Sequence, residues 1–528
     1  MYISPAMIGN EIGDHDVTTV DGRIHLHHLC LPNQDVVAHA VSEDGILFTP
    51  APAAIRTGDP GACDDDMIWT MHTVRHPRTG VYMMYYTACS LAEGGQVQRV
   101  ALATSTDFIH WRKHPGNPVL TAAAPHYVDS LKDLGRVPFR DPFVFIEEDG
   151  LMHMLVCAQT AQGDRLRRGC VAHAVSEDGF AWRLLPPLYA PAQFDDLETP
   201  SLLKLDGRYY LFFKEFRGPR TFYRMADSLA GPWRTPEWDE PLPPDNAVMR
   251  FCEWQGRILA YTWFRCKPDW PFRGPALHAI LPPKEVQVRP DGRLRCASFS
   301  GWSTRHMGPT IPLPPQEWKP LETPARPQEE AVGTEPDPPE VGGGLCSRQW
   351  RDDLRVVRRS SASAFLGTQP GIWRIDGNRL EGEAEGLGVV AAEDQYADFI
   401  LELNACCERG RSIGLLFRAD SGLERGNWIR LDFERRRVEF HRLQPMESGL
   451  NRIVRMQPSL KQQWDFPLER GRPLRLRLVA SGGYLELSID DQVCLSLIDE
   501  ARTSGRLGLF AEDAGVWYTG VTVQPISL

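Results

Sequence analysis

The nonapeptide VAHAVSEDG occurs twice, at Val37–Gly45 and at Val171–Gly179, 134 positions apart. An identity of that length marks a structural unit used more than once, and a repeated unit restricts the fold more than composition does. Each copy alternates, with Val37, His39 and Val41 on one face and Ala38 and Ala40 on the other. It ends in a Ser-Glu-Asp-Gly turn whose glycine supplies positive φ. Each copy follows an earlier strand, DGRIHLHHL at Asp21–Leu29 or DGLMHMLV at Asp149–Val156, and precedes a short strand near Phe48 or Trp182. Looser units begin at GVYMMYY (Gly80–Tyr86), DGRYYLFF (Asp206–Phe213) and GRILAY (Gly256–Tyr261). The five opening glycines, Gly22, Gly80, Gly150, Gly207 and Gly256, are spaced by 58, 70, 57 and 49 residues. Such units cannot bury both faces alone, so they stack radially about an axis, which predicts a five-bladed β-propeller. The repeat's histidines, His39 and His173, are read as strand residues and not as ligands.

The blade pattern ends near Trp302. A stretch rich in Pro, Glu and Gly follows, including EWKPLETPARPQEEAVGTEPDPPEVGGG, with no periodicity. Alternating segments then return at Tyr396–Ala405, Ser412–Arg418, Trp428–Phe433, Arg437–His441, Leu474–Val479, Gly483–Ile489 and Val493–Leu497. A closing pair lies at Ser504–Leu509 and Val516–Val523. The expected organisation is all-β: a propeller over 1–302, a linker or strap over 303–348, and a β-sandwich of concanavalin or laminin-G type over 349–528.

A net charge of −11 with no Lys/Arg run argues against nucleic acid and anionic membranes as partners. No apolar run approaches membrane-spanning length, and MYISPAMIGNEIGDHD has neither the basic head nor the apolar core of a signal peptide. The twelve cysteines have irregular spacing, several inside apolar runs, and read as reduced, buried side chains. Nothing has metal-site spacing. These features set the expectation of a cytoplasmic protein and leave homo-oligomerisation open.

A propeller concentrates chemistry in the funnel lined by the first strand of each blade. Three acids occupy matching places there: Asp14 in GNEIGDHDVTTVDG, Asp141 in VPFRDPFVFIEEDG and Glu198 in FDDLETPSLLKLDG. They precede the turn glycine by 8, 9 and 9 residues, so radial repetition brings them to one cavity. Clustered carboxylates suit acetal hydrolysis, in which one acid protonates the leaving oxygen while another stays ionised to attack the anomeric carbon or activate water. Carboxylates so grouped are also the ligands of an axial calcium or sodium ion.

With these motifs the chain resembles the five-bladed propeller glycosidases of glycoside hydrolase families 32, 43 and 68, and family 32 above all. Asp14 is followed by Gly22-Arg23-Ile24-His25-Leu26, Arg140-Asp141-Pro142 is an intact Arg-Asp-Pro motif, and Glu198-Thr199-Pro200 stands for Glu-Cys-Pro. The resemblance implies Asp14 as nucleophile, Glu198 as general acid/base, Asp141 as transition-state stabiliser and Arg140 as a clamp on sugar hydroxyls. It also implies no metal and no organic cofactor. The substrate would be a small oligosaccharide or glycoside, most closely a β-fructofuranoside cleaved with retention. The first motif is reduced to Ile12-Gly13-Asp14-His15-Asp16, which leaves Asp16 as a rival to Asp14 and as a substrate contact.

Further contacts are expected from Asp66 and Trp69 at the opening of blade two and from Trp263 after the blade-five strand. Lys214-Glu215, Arg265 and His278 are weaker candidates at the rim. Three other readings stand beside hydrolysis with retention. One is an inverting arabinofuranosidase or xylosidase resembling family 43. Another is a phosphorylase using Arg140, Lys214 and Arg250, and the last is a propeller that binds carbohydrate without turnover.

Overall fold

In the computed structural model, residues 11–216, 218–266, 277–305, 308–320, 371–420, 425–448, 453–499 and 503–527 are described. The first part of the chain forms five antiparallel sheets, each opening on a strand that lies innermost: Glu11–Val20, Met67–Arg75, Phe139–Ile146, Leu197–Leu205 and Asn246–Trp254. These five strands pack side by side in order, and the fifth packs against the first, which closes the ring. Blades one, two and three have four strands in simple up-and-down order and blade four has three. Blade five adds the off-path strand Leu277–Ile280.

The turn after each innermost strand explains the spaced glycines. Asp21-Gly22, Asp206-Gly207 and Gln255-Gly256 each place two successive residues at positive φ (48° and 78°, 50° and 75°, 50° and 72°). A two-residue hairpin that follows the natural strand twist requires that conformation. The duplicated nonapeptide is explained one strand later. Ser42 Oγ accepts from Gly45 N at 2.9 Å, and Asp44 Oδ1 accepts from Ile46 N and Leu47 N at 2.8 Å each. Ser176 and Asp178 repeat these bonds on Gly179, Phe180 and Ala181. A third copy at Ser105–His110 keeps them with Phe108 (φ 65°) in the glycine's place. The aspartates therefore build their turns. The carbonyls of Gly45 and Gly179 receive the hydroxyls of Tyr261 and Tyr85 from the adjacent blades, at 2.9 and 2.7 Å.

The histidines of the repeat also have a packing role. His25 Nδ1 meets His39 Nε2 at 2.9 Å, and His153 Nδ1 meets His173 Nε2 at the same distance, so blades one and three carry the same buried pair. Burial lowers the pKa of His25, His39 and His173 to about 4, so these rings are neutral at pH 7. Of the ten cysteines whose side chains are described none is in a disulfide, and nine are buried.

The chain separates into two compact units, 1–305 with 491–498 and 528, and 306–490 with 499–527. Most of the Pro/Glu/Gly-rich segment lies outside the described residues. The second unit is all-β and sandwich-like, but its strands are longer than the alternation suggests. Tyr396–Ala405 and Ser412–Arg418 are one strand, Phe399–Ala419, and the last two segments are one strand, Gly505–Pro525. These two pair along their length through bulges, one between Cys407 and Arg409. The front half of Phe399–Ala419 pairs with Leu474–Ser481 and its back half with Gly426–Asp432, so one strand serves both layers. No helix among the described residues is long and apolar enough to cross a membrane.

Candidate active site

Every innermost strand breaks register once, at the same level. The shifts fall between Ile12 and His15, Trp69 and Met71, Arg140 and Phe143, Glu198 and Ser201, and Ala247 and Arg250. A bulge leaves a residue unpaired and re-aims side chains that regular alternation would fix to a sheet face. In blades three, four and five the bulge holds a non-glycine residue at positive φ: Asp141 at 61°, Thr199 at 48° and Val248 at 56°. Such a conformation persists only where its surroundings enforce it. Pro142 and Pro200 follow two of these residues, and since proline has no N–H to give a ladder, it fits where the ladder is already broken. The acids therefore lie within the bulged strands themselves.

A cavity of about 310 Å³ opens at this level, lined among others by Asp14, Glu198, Lys214, Phe216, Asp245 and Trp263. Asp14 receives two neutral donors: Thr70 Oγ1 bonds its Oδ2, and Trp263 Nε1 donates to its Oδ1 at 3.3 Å. Burial pushes the Asp14 carboxyl above its usual range, the Thr70 bond opposes this, and the charge of Glu198 reinforces it. Glu198 is gripped by two cations, with Arg140 Nη2 donating to Oε1 at 3.0 Å and Lys214 Nζ to Oε2 at 2.8 Å.

Asp141 lies outside the cavity lining and is 3% exposed. Its N–H donates to Thr87 Oγ1 at 2.8 Å, and its Oδ2 accepts from Thr199 N at 2.9 Å. Burial raises its pKa to about 6. Arg140 pulls it down, while Asp14 and Glu198 push it up. The three acids thus sit within electrostatic reach of one another, two in the cavity and one buried. Among the described residues no group of three or more His, Cys, Asp or Glu is arranged to hold a metal ion.

The other expected contacts divide. Trp263 stands in the cavity wall against Asp14, and Lys214 reaches Glu198, whereas Glu215 is not in the lining. Arg140 is 4% exposed and is committed to protein partners: Asp196 at 2.8 Å, Glu198, and Gln98 at 3.4 Å. It acts on Glu198 and does not line the cavity. Asp16 is 1% exposed, with His72 Nδ1 at 2.9 Å on one oxygen and Thr73 N at 2.8 Å on the other. The bulge at Gly13–Asp14 separates the environments of the two aspartates, so Asp16 ties blade one to blade two while Asp14 faces the cavity. Asp66 and Trp69 do not line the cavity, and Trp69 packs with the apolar cluster of Ile68, Met71 and Met84. The side chains of Arg265 and His278 lie outside the described residues.

Sequence reasoning missed Thr70, Asp196, Phe216 and Asp245. Thr70 sits at the blade-two bulge, and Asp196 lies two residues before Glu198, so position in the repeat was the available signal for both. Asp196 is fully buried and accepts from Arg140, from Arg136 at 3.0 Å and from Gln159 at 2.8 Å. Burial alone would push its carboxyl up, but the two guanidiniums and the hydrogen bonds hold it below the usual range.

Residues 16–218 match the model of the glycosyl hydrolases family 32 N-terminal domain, a span that includes Asp141 and Glu198 and begins just after Asp14. No curated protein matches the chain in sequence. Solved structures resemble it over nearly its whole length. A β-fructofuranosidase from Bombyx mori is 16% identical, with 99% of this chain and 92% of that one covered and a TM-score of 0.62. Fructan 1-exohydrolase IIa from Cichorium intybus is 14% identical, with coverage of 99% and 97% and a TM-score of 0.64. Sucrose-6-phosphate hydrolase from Lactobacillus gasseri is 14% identical, with coverage of 98% and 91% and a TM-score of 0.64. The chain has the fold of the five-bladed propeller glycosidase clan that includes family 32.

Proposed function

We propose that the protein is a glycoside hydrolase that removes terminal furanosyl units, with β-fructofuranosides as its substrate class, by double displacement. The observation that carries this reading is the pair Asp14 and Glu198, delivered by blades one and four into one cavity with unlike partners. Asp14 attacks the anomeric carbon and forms a glycosyl ester as the bond to the leaving oxygen breaks. Glu198 gives that oxygen its proton. Glu198 then takes a proton from water, which attacks the same carbon, breaks the ester and releases the sugar with its configuration retained. Thr70 and Trp263 orient the Asp14 carboxylate, and the buried negative charge of Asp141 favours the positive charge that develops on the ring. Trp263 and Phe216 give the cavity apolar surface for the sugar faces.

Hydrolysis is favoured over phosphorolysis by the state of the three candidate cations. Arg140 is held by Asp196 and Glu198, Lys214 donates to Glu198 and to the carbonyls of Glu215 and Phe216, and Arg250 is fully buried. The reading is tested by proton NMR of sugar released from sucrose, short inulin and levan oligomers, and arabinofuranosides. Fructose appearing first as the retained anomer, with turnover about 10²–10⁴-fold lower in Glu198→Gln, is the expected result. Unchanged turnover in that variant would refute the assignment, and arabinose released with inversion would move it to a family 43-like mechanism.

A further inference from the structure

The cavity wall holds a third carboxylate, Asp245, to which the mechanism above gives no part. It stands just before the innermost strand of blade five, Asn246–Trp254, and its backbone is held on both sides. Its N–H donates to Pro219 O at 2.8 Å, which ties it to blade four. The buried side chain of Asn246 donates through Nδ2 to Pro243 O at 3.2 Å and Pro244 O at 3.4 Å, and the Thr221 hydroxyl donates to Asn246 O at 3.2 Å. Between these anchors Asp245 has φ 68°, a region closed to most side chains but entered by aspartate. A carboxylate on so constrained a backbone is placed before a ligand arrives, and less freedom is left to lose on binding.

Its side of the cavity follows from the acid it neighbours. In double displacement the nucleophile attacks one side of the anomeric carbon, and the leaving oxygen departs on the other, toward the acid that protonates it. Glu198 marks that departing side. Lys214 bonds Glu198 at 2.8 Å and the carbonyl of Phe216 at 3.2 Å, and Phe216, Gly218 and Pro219 all line the cavity. The bond from Asp245 to Pro219 O therefore joins it to the segment that flanks the acid. An ionised carboxylate only accepts hydrogen bonds, and its two oxygens match two neighbouring hydroxyls of a sugar ring.

We propose that Asp245 is a specificity-determining residue: its carboxylate accepts hydrogen bonds from vicinal hydroxyls of the leaving group. The site then selects furanosides whose leaving group is itself a sugar over simple alkyl furanosides. This rests on the hydrolase reading above, with Glu198 as the acid.

The test measures fructose release from two substrates that share the transferred unit. One is sucrose or a short inulin oligomer, whichever the wild type cleaves faster; the other is methyl β-D-fructofuranoside, whose leaving group is methanol. Rates are compared for wild type, Asp245→Gly and Asp245→Asn. Glycine takes positive φ freely and removes the carboxylate, whereas asparagine tolerates that φ and keeps one acceptor oxygen without the charge. In Asp245→Gly, kcat/KM on the oligosaccharide should fall about 10- to 100-fold, the worth of hydrogen bonds to a charged group, and in Asp245→Asn by less. On the methyl furanoside both variants should stay within about threefold of wild type. A loosened site would slow both substrates alike, so the ratio of the two kcat/KM values isolates recognition of the leaving group. If Asp245→Gly does not fold, the ratio in Asp245→Asn decides. An unaltered ratio in an active protein, or equal losses on both substrates, would overturn this proposal alone. A wild type idle on both substrates would overturn the hydrolase reading and this proposal with it.

Discussion

Asp196→Asn tests how the site is held together, because Asp196 touches no substrate in the proposed reaction. Its Oδ2 receives Arg140 and Arg136, and its Oδ1 receives Gln159. All three partners are donors, and an amide offers one acceptor oxygen and one donor NH₂, so either orientation sets donor against donor. The substitution also removes the charge opposite two guanidiniums, of which that of Arg140 is 5% exposed. Breaking a buried pair from one side costs about 3–5 kcal/mol. Arg140 keeps Glu198 at 3.0 Å and Asp141 at 3.7 Å, which places the cost near the lower end, about 3 kcal/mol. At roughly 2 °C per kcal/mol for a large unit, the propeller's melting transition should fall by about 6 °C at pH 7. The sign with pH follows from the depressed carboxyl. Its stabilisation is complete above the unfolded value near 4 and is lost as pH falls through the lower folded value, so the gap to wild type is constant from pH 6 to 8 and closes in strong acid. Calorimetry reads the transition, and initial rates should show about tenfold lower kcat as Arg140 loses its hold on Glu198. A melting temperature within about 1 °C of wild type would refute the reasoning, since the buried pair would then be idle.

Two further outcomes follow from the same geometry. Thr70→Val removes the hydroxyl on Asp14 at nearly constant volume; losing a hydrogen bond to a charged group costs about 1.5–3 kcal/mol, so kcat/KM should fall roughly 10- to 100-fold at pH 5, and an unaltered pH profile would exclude that role. Asp141→Asn should abolish most turnover yet stabilise the fold at pH 8 by up to about 2–3 kcal/mol, because burial has raised the carboxyl to about 6 and its ionisation works against folding as pH rises from 4 to 6. The gain should vanish below pH 4, and a lower melting temperature than wild type at pH 8 would contradict it.

Repetition made the propeller legible, since Asp-Gly hairpins and Ser-x-Asp turns write their backbone conformation into local sequence. Position within the repeat then carried Asp14, Asp141 and Glu198 to one level. Spacing to the turn glycine favoured Asp14 over Asp16, but it could not show what divides them, which is His72 and Thr73 in the neighbouring blade and a bulge that only Gly13 hints at. The family resemblance implied Arg140 as a sugar contact, whereas the guanidinium is buried against Asp196 and Glu198 and is not in the cavity lining. In the second unit the polar run Cys406-Cys407-Glu408-Arg409-Gly410-Arg411 has the composition of a turn, yet it continues a strand through a bulge against Gly505–Pro525. Local alternation cannot see a partner strand that absorbs the irregularity.

In the proposed reaction the distribution of partners separates the nucleophilic carboxylate from the other four. Asp16 holds His72, Asp196 holds two arginines, Glu198 is shared by Arg140 and Lys214, and Asp141 has Arg140 at 3.7 Å. Asp14 has Thr70 and Trp263, both neutral. An ion pair would fix the charge of a nucleophile but would also oppose the loss of that charge as the new bond to carbon forms. Neutral donors orient the carboxylate with less of that penalty. A test follows directly: Trp263→Arg, which places a cation against Asp14, should lower kcat about tenfold or more at pH 8, with little change in melting temperature. A faster enzyme at pH 8 would show that added charge at Asp14 helps catalysis and that the neutral setting is incidental.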